Sequence, residues 1–284
     1  MKAFLGMGLL GSNFVKAMIN KGESVQVWNR TASKASILEQ FGAKAFNNPA
    51  DAVRGAGVIH LALKDDDSVN DVLHDAAAGL TPGAIIIDHT TTSKAGAVQR
   101  TDNWNNKGFV YQHAPVFMGP PDALNSTGFM LVSGNQETIQ RLEPELSKMT
   151  GRLLNFGSET GKAAAVKLIG NAFLVTFTAG LVDVLSLAKA MDTPTADLQT
   201  LFAAWNPVNL LAARIKRMTS GDHSKPSWEL NMARKDTRLF IEAAQQAGTP
   251  LAVLPAIANL MDQYIQKGFG SNDWTVIAKD AAAV

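Results

Sequence analysis

The chain has 284 residues, 46% of them hydrophobic, which is enough for a large buried core and more than one core usually organises, so two domains are expected. Its 26 basic and 25 acidic side chains nearly cancel, removing the electrostatic footprint of a general nucleic-acid binder. It contains no cysteine, which excludes a disulfide framework, thiolate catalysis and thiolate zinc sites and suits a reducing compartment, so a cytoplasmic location is expected.

The opening MKAFLGMG has too short an apolar run for a signal-peptide core. Residues 3–5 read instead as a short buried strand that runs into Gly6-Met7-Gly8-Leu9-Leu10-Gly11, followed by an apolar-periodic helix that stops at Lys21-Gly22. Gly6 permits the tight turn, Gly8 lets the backbone approach a pyrophosphate, and Gly11 allows close packing of helix on strand, with the phosphates at the helix N-terminus. A lone GxGxxG is a weak signal. Here it lies between a strand and a helix, with a second strand over 25–28, and reads as a dinucleotide-binding turn rather than a plain glycine turn. At the end of that second strand an NAD site places Asp or Glu for the ribose 2′-hydroxyl; this chain has Asn29-Arg30-Thr31. No carboxylate there repels a 2′-phosphate, Arg30 offers it planar donors, and Lys34 lies one helical turn further on, so NADP is favoured. The bland alternative is a pair of solvated loop charges.

Asn48-Pro49 starts a short helix, and strands are expected over 58–63, 84–88 and 109–113 with helices between them. That alternation predicts an open, mostly parallel, doubly wound sheet whose ligands bind at the carboxyl ends of its strands. Three loops leave those ends: Leu63-Lys64-Asp65-Asp66-Asp67-Ser68, Asp88-His89-Thr90-Thr91-Thr92-Ser93, and His113-Ala114-Pro115-Val116-Phe117-Met118-Gly119. The three aspartates read as the start of the next helix at its positive dipole end. His89 and His113 flank the loops and read as hydrogen-bonded structural residues more readily than as substrate contacts, and no spacing of histidines and carboxylates resembles a metal site. Strands over 129–133 and 153–156 flank a helix over 136–149 and complete a first, Rossmann-type domain, residues 1–159.

Residues 161–190 form one long apolar segment, a helix of about 45 Å that reads as buried on most sides and begins a second domain, 160–284. Its longest charge-free run, 168–182, is shorter than the ~20 residues a bilayer needs, so a soluble helix is expected. Lys167 and Asn171 are four apart and project from one face near its start, which makes them the catalytic candidates. Strand signals then cease. Thr193-Pro194 and Thr249-Pro250 read as helix starts, Gly221 and Gly248 as stops, with helical periodicity over 198–213 and 230–247 and a frayed end over 281–284. Phe202, Trp205 and Trp228 read as core or subunit contacts. A helix this apolar has more surface than ~120 residues easily cover, so a homodimer through the helical half is expected.

With these residues assembled, the chain resembles the β-hydroxyacid dehydrogenase family, which includes 3-hydroxyisobutyrate dehydrogenases and the glyoxylate and succinic semialdehyde reductases. The opening FLGMGLLGSNFVKAMINKGESVQVWNRT is similar to the family's cofactor signature. DHTTTS corresponds to its substrate segment, which implies that Thr90 meets substrate and that Thr91 lies near the nicotinamide. GKAAAVKLIGN resembles the catalytic segment, placing the catalytic lysine on Lys167 and its partner on Asn171, and Lys235-Asp236 resembles a late pair whose lysine reaches the cofactor. There are departures. APVFMG stands where the family has APVSGG, whose backbone amides hold a substrate carboxylate, so Phe117, Met118 and Gly119 become the expected substrate contacts and the two bulky residues fill that room. Lys64 replaces a proline after the fourth strand, and Ser68 stands where some members have an asparagine near the nicotinamide ribose. Imine reductases and reductive aminases share the plan and have a Met-x-Pro-Pro-like segment similar to Met118-Gly119-Pro120-Pro121, but generally lack the lysine.

Reducing a carbonyl requires a proton donor within ~3 Å of the developing alkoxide. Lys167 suits that role, since an apolar helix disfavours its ammonium and lowers its pKa toward neutrality; the alternative is a lysine that snorkels to solvent. The expected activity is NADP-dependent interconversion of small carbonyl compounds and alcohols of the β-hydroxy acid and semialdehyde type. Imine reduction and non-catalytic NADP sensing are the alternatives, with acceptance of neutral or hydrophobic carbonyls the consequence of Phe117-Met118.

Overall fold

Six strands build the sheet that carries the glycine-rich turn: β1 (Lys2–Leu5), β2 (Val25–Trp28), β3 (Lys44–Phe46), β4 (Val58–Leu61), β5 (Ile85–Asp88) and β6 (Val110–His113). All pairings are parallel and the order is β3-β2-β1-β4-β5-β6, so the sheet winds outward in both directions from β1. Side chains of β1 alternate between two cores. Phe4 joins Phe14, Val15, Met18 and Val27 on one side, while Ala3 and Leu5 join Ile59, Leu61, Leu73 and Ile86 on the other.

The helices that follow these strands are α1 (Leu9–Asn20), α2 (Ala32–Ser36), α3 (Pro49–Val53), α4 (Asp66–Ala76) and α5 (Lys94–Asn106). Asn48 caps α3 by accepting from the Ala50 amide (2.8 Å), and Asp65 caps α4 through the Ser68 amide (2.9 Å). A second sheet follows, with β7 (Val116–Phe117) antiparallel to β8 (Phe129–Val132) and β8 parallel to β9 (Arg152–Asn155). Between these strands lie α6 (Pro120–Asn125) and α7 (Gln136–Leu146). The strands expected over 129–133 and 153–156 therefore belong to a separate small sheet, and β3 and β7 come in addition to the strands read from the sequence.

The molecule, known from a computed structural model, is described for residues 1–282 and divides into two units, Met1–Ala172 and Phe173–Val284. Helix α8 (Lys162–Ala190) runs through the division. The boundary lies beyond the expected residue 159 because the first turns of α8 bury Ala163, Ala164 and Lys167 with the first unit.

The second unit is helical: α9 (Thr195–Ala204), α10 (Leu211–Thr219), α11 (Leu230–Gln246), α12 (Leu254–Tyr264) and α13 (Lys279–Ala282), with short 3₁₀ and π turns between them. The periodic stretch 198–213 is two helices, since Asn206 is extended and Pro207 starts a 3₁₀ turn. Thr249-Pro250 does not begin a helix; α12 starts at Leu254, where the buried Asp183 carboxylate accepts from the amides of Ala252 (2.6 Å), Val253 (2.8 Å) and Leu254 (2.7 Å). Gly221 and Gly248 follow α10 and α11 in left-handed conformations, as stop residues do. Ala281 and Ala282 close α13, while the rest of the expected frayed end lies outside the described residues.

The expectation that α8 is buried on most sides fails. Beyond Lys167 it exposes Leu168, Ile169, Phe173, Leu174, Val175, Phe177, Leu181, Val182 and Leu185, with Ile169 and Val175 both 69% exposed. By length and composition α8 could also cross a membrane, the one such helix among the described residues.

Candidate active site

The glycine turn is built by close approach. Gly6 has φ +104°, and a Cβ there would sit 2.3 Å from the Ala62 carbonyl oxygen; one on Gly11 would sit 1.9 Å from the Gly6 oxygen. Gly8 is the opposite case, with nothing within 4 Å of an added Cβ. It precedes α1, whose N-terminus has no side-chain cap, and the Asn29 side chain at the end of β2 fixes the turn by accepting from the Met7 amide (2.9 Å). The loop thus leaves open backbone at a helix N-terminus, where a pyrophosphate is held by amides and the helix dipole.

Two cavities meet at this turn within the first unit. The first, about 550 Å³, is lined by Gly6, Gly8, Trp28, Asn29, Arg30, Thr31 and Lys34, and on its other side by Leu63, Lys64, Ser68, Asp71 and Asp75. The second, about 460 Å³, shares Gly8, Ala62, Leu63 and Lys64 with it and adds Leu9, Leu10, Gly11, His89, Thr90, Thr91, Val116, Met118, Pro120 and Lys167. A nucleotide with an open backbone cradle at its middle fits this pair of spaces.

Lys167 is buried, and its Nζ donates to Asn171 Oδ1 at 3.0 Å. The same nitrogen lies 3.9 Å from the centre of the Phe117 ring. Burial lowers the pKa of this lysine from 10.5 to about 8. At neutral pH it can therefore give up a proton and regain one.

Behind the second cavity a buried polar network holds the loops. Arg100 pairs with Asp66 (2.8 Å) and donates to the Tyr111 hydroxyl (3.0 Å), which donates to Asp88 (2.5 Å). Asp88 in turn accepts from the Thr90 amide (2.9 Å), and the Thr90 hydroxyl accepts from the Leu63 amide (3.0 Å), tying the ends of β4 and β5 together. Burial, then the neighbouring Asp88 charge, pushes the Tyr111 hydroxyl well above its ordinary pKa, so it stays a donor. His89 Nδ1 faces the Ala114 carbonyl (2.9 Å), which can only accept, so His89 Nε2 is left to accept from His60 Nδ1 (3.0 Å). Burial lowers His89 to about 4. With both nitrogens engaged, His89 lines the cavity as a neutral wall. His113 is likewise buried and bonds the Thr90 carbonyl (2.9 Å).

Among the cofactor candidates, Gly6, Gly8, Leu9, Leu10, Gly11, Asn29, Arg30, Thr31, Lys34, Leu63, Lys64, Ser68 and Thr91 all line one or both cavities. Met7 contributes its backbone to the turn. The Ser68 hydroxyl is engaged by Asp65 (2.6 Å). Lys235 lies on α11 in the second unit, partly exposed and paired with Asp236 (2.8 Å). Of the substrate candidates, Thr90 and Met118 line the second cavity, whereas Phe117 and Gly119 do not. The Gly119 amide donates to Asp122 Oδ2 (2.8 Å) and so caps α6. Sequence reasoning missed Trp28, Asp71, Val72 and Asp75 as cavity residues; the helical spacing of the last three on one face of α4 is the signal that could have found them.

The chain matches the family model described as the NAD binding domain of 6-phosphogluconate dehydrogenase over residues 2–157, and that described as NAD-binding of NADP-dependent 3-hydroxyisobutyrate dehydrogenase over 161–280. It is 27% identical over 280 residues to 3-sulfolactaldehyde reductase of Escherichia coli (strain K12), covering 97% of this chain and 93% of that protein. In fold it is similar to an imine reductase from Myxococcus stipitatus solved with NADP+, with a TM-score of 0.88, 18% identity and coverage of 98% and 99% of the two chains. It is equally similar to a reductive aminase from Aspergillus terreus solved with NADPH4, cyclohexanone and allyl amine, with a TM-score of 0.88, 20% identity and coverage of 99% and 98%.

Proposed function

The chain belongs to the β-hydroxyacid dehydrogenase family, related to the imine reductases, and is an NAD(P)-dependent oxidoreductase; we propose that it uses NADP to reduce small carbonyl compounds with Lys167 as proton donor. The observation that carries this reading is the buried Lys167 on the wall of a cavity continuous with the glycine turn. NADPH, when bound, supplies the hydride. The residues of the chain do the rest. The Lys167 ammonium gives one proton to the oxygen of the carbonyl as the alcohol forms, becomes a neutral amine, and is reprotonated from solvent; oxidation runs the same transfer backwards. Asn171 holds Nζ in place, and Thr90 and Thr91 offer hydroxyls along the same wall. A non-catalytic sensor would have no use for a proton donor there.

NADP is favoured by Arg30 and Lys34, with Asn29 in place of a carboxylate at the end of β2. Asp71 and Asp75 line the far side of the same cavity and temper its positive charge. Titration of the protein with NADPH and with NADH tests this directly, and equal affinity would reject it.

For the substrate, the commitment of the Gly119 amide to Asp122 favours a neutral carbonyl over a carboxylate, because one of the amides the family resemblance assigns to a carboxylate is taken. The same observation, with the likeness in fold to imine reductases, supports a second reading as a reductase of cyclic or hydrophobic imines. NADPH-linked turnover of succinic semialdehyde and glyoxylate, compared with an uncharged aldehyde and a cyclic imine, separates the readings; efficient turnover of the two acids alone would remove both preferences.

We also propose that the exposed apolar turns of α8 are covered by a second copy of the chain in a soluble, cytoplasmic homodimer. The charged Asp183, buried and bonded to three backbone amides, suits a soluble helix better than a membrane span.

A further inference from the structure

Helix α8 presents Lys167, Gly170 and Asn171 at i, i+3 and i+4, on one face. The Phe117 ring meets that face. A Cβ on Gly170 would lie 2.3 Å from Phe117 Cζ, 3.0 Å from Cε1 and 3.3 Å from Cε2, so the ring is laid against the bare helix backbone and any side chain at 170 would displace it. The same ring centre is 3.9 Å from Lys167 Nζ, well inside the ~6 Å reach of a cation–π contact. Phe117 does not line the cavity, but Lys167 does. The ring therefore touches the proton donor from behind.

We propose that Phe117 is a positioning residue for Lys167: its aromatic face, admitted by Gly170, holds the ammonium toward the cavity and favours the charged form. This inference rests on the proton-donor reading of Lys167. Two partners grip the nitrogen, an amide oxygen from Asn171 and a π face from Phe117, and neither is a formal anion. That choice has a chemical consequence. A carboxylate in place of the ring would stabilise the ammonium so strongly that it would seldom release its proton. No contact at all would leave burial unopposed, which favours the neutral amine. A ring face lies between these limits, and its two-torsion side chain is stiff enough to fix the position of Nζ.

Other titratable groups around the cavity do not supply this balance. His89, beyond β5, is held neutral by burial and by its two hydrogen bonds. Lys64, beyond β4, is exposed and pairs with Asp65 at 3.3 Å. On α8 itself, Lys162 lies more than a turn before Lys167 and is exposed. Burial alone acts on Lys167 from among these groups.

The test reads the lysine directly. Competitive acylation of the whole protein with acetic anhydride across pH 6–11, quantified for the Lys167 peptide by mass spectrometry, gives the midpoint of its titration without turnover. Phe117→Leu should lower that midpoint by about one pH unit and shift the alkaline limb of NADPH-linked carbonyl reduction by the same amount, while Phe117→Tyr, which keeps the ring face, should restore both. Gly170→Ala, which displaces the ring and leaves Phe117 in the chain, should move the midpoint in the same direction as Phe117→Leu. An unchanged midpoint in Phe117→Leu, or in Gly170→Ala if the former does not fold, overturns the inference. Undiminished reduction by Lys167→Ala would instead reject the proton-donor reading, while the acylation midpoints would still report whether the ring holds the lysine.

Discussion

The two halves of α8 have nearly the same composition and opposite surroundings. Its first turns bury Ala163, Ala164 and Lys167, and the lysine lines a cavity there; its later turns expose Val175, Leu181 and Val182. Hydrophobicity alone cannot tell these cases apart, because it says that a face needs covering but not by what. The buried lysine is the informative exception in the first half, and the exposed apolar stripe is the informative exception in the second.

The largest effect should come from breaking the exposed half. Val175 and Val182 lie seven residues apart and so share one stripe of that half. Val175→Glu/Val182→Glu would place four unpaired carboxylates in a symmetric interface at a few kcal/mol each, so the dimer should dissociate at concentrations where the wild type does not. Light scattering at micromolar concentration checks this; a wild-type monomer would mean that the stripe is not a subunit contact.

Next in size is the buried half. Lys167→Ala should lower kcat for carbonyl reduction by roughly 10²–10⁴, the usual contribution of a positioned acid, with little change in cofactor affinity. Stopped-flow binding and steady-state turnover together distinguish a lost donor from a lost fold.

Much of the fold and of the candidate site could be read from the sequence, and the rest could not for identifiable reasons. The glycine turn, the strand ends and Lys167 with Asn171 are local patterns, and the structure brings most of them to two adjoining cavities. Strand β3 is three residues at the sheet edge and β7 is two residues beside Pro115, too short for any alternation to register. The helix expected over 198–213 breaks because Pro207 has no amide to continue it. The start of α12 is set by Asp183, about seventy positions earlier in the chain, and no local signal could place it there. There burial pushes the carboxyl up, and three backbone amides bring it below its ordinary range. Gly119 is expected to meet substrate, but its amide donates to Asp122.

A smaller effect separates the nucleotide cavity from the lysine. Arg30→Ala should reduce the preference for NADPH over NADH by roughly 1–3 kcal/mol, the range for a charge-assisted contact, and leave Lys167 chemistry alone. Isothermal titration with both cofactors measures it. If the preference persists in Arg30→Ala but falls in Lys34→Ala, the phosphate sits one helical turn further along α2.

The most diagnostic effect is pH dependence, which is small near neutral pH and grows above it. Burial holds the Lys167 pKa near 8, below the 10.5 of a free lysine. Reduction needs the ammonium, so kcat/KM for carbonyl reduction should be flat below about pH 8 and fall roughly tenfold for each unit above it. Oxidation of the alcohol needs the neutral amine, so its profile should rise with pH and level off near the same value. The opposite slopes matter because a group that merely binds substrate would bend both profiles the same way. His89 cannot imitate this, since burial keeps it near 4, and protonating it would break the bond it accepts from His60. Profiles in both directions over pH 6–10, with enzyme stability checked at each point, make the measurement. Matching slopes would remove Lys167 from the chemical step and leave it as a lysine held between Asn171 and an aromatic ring.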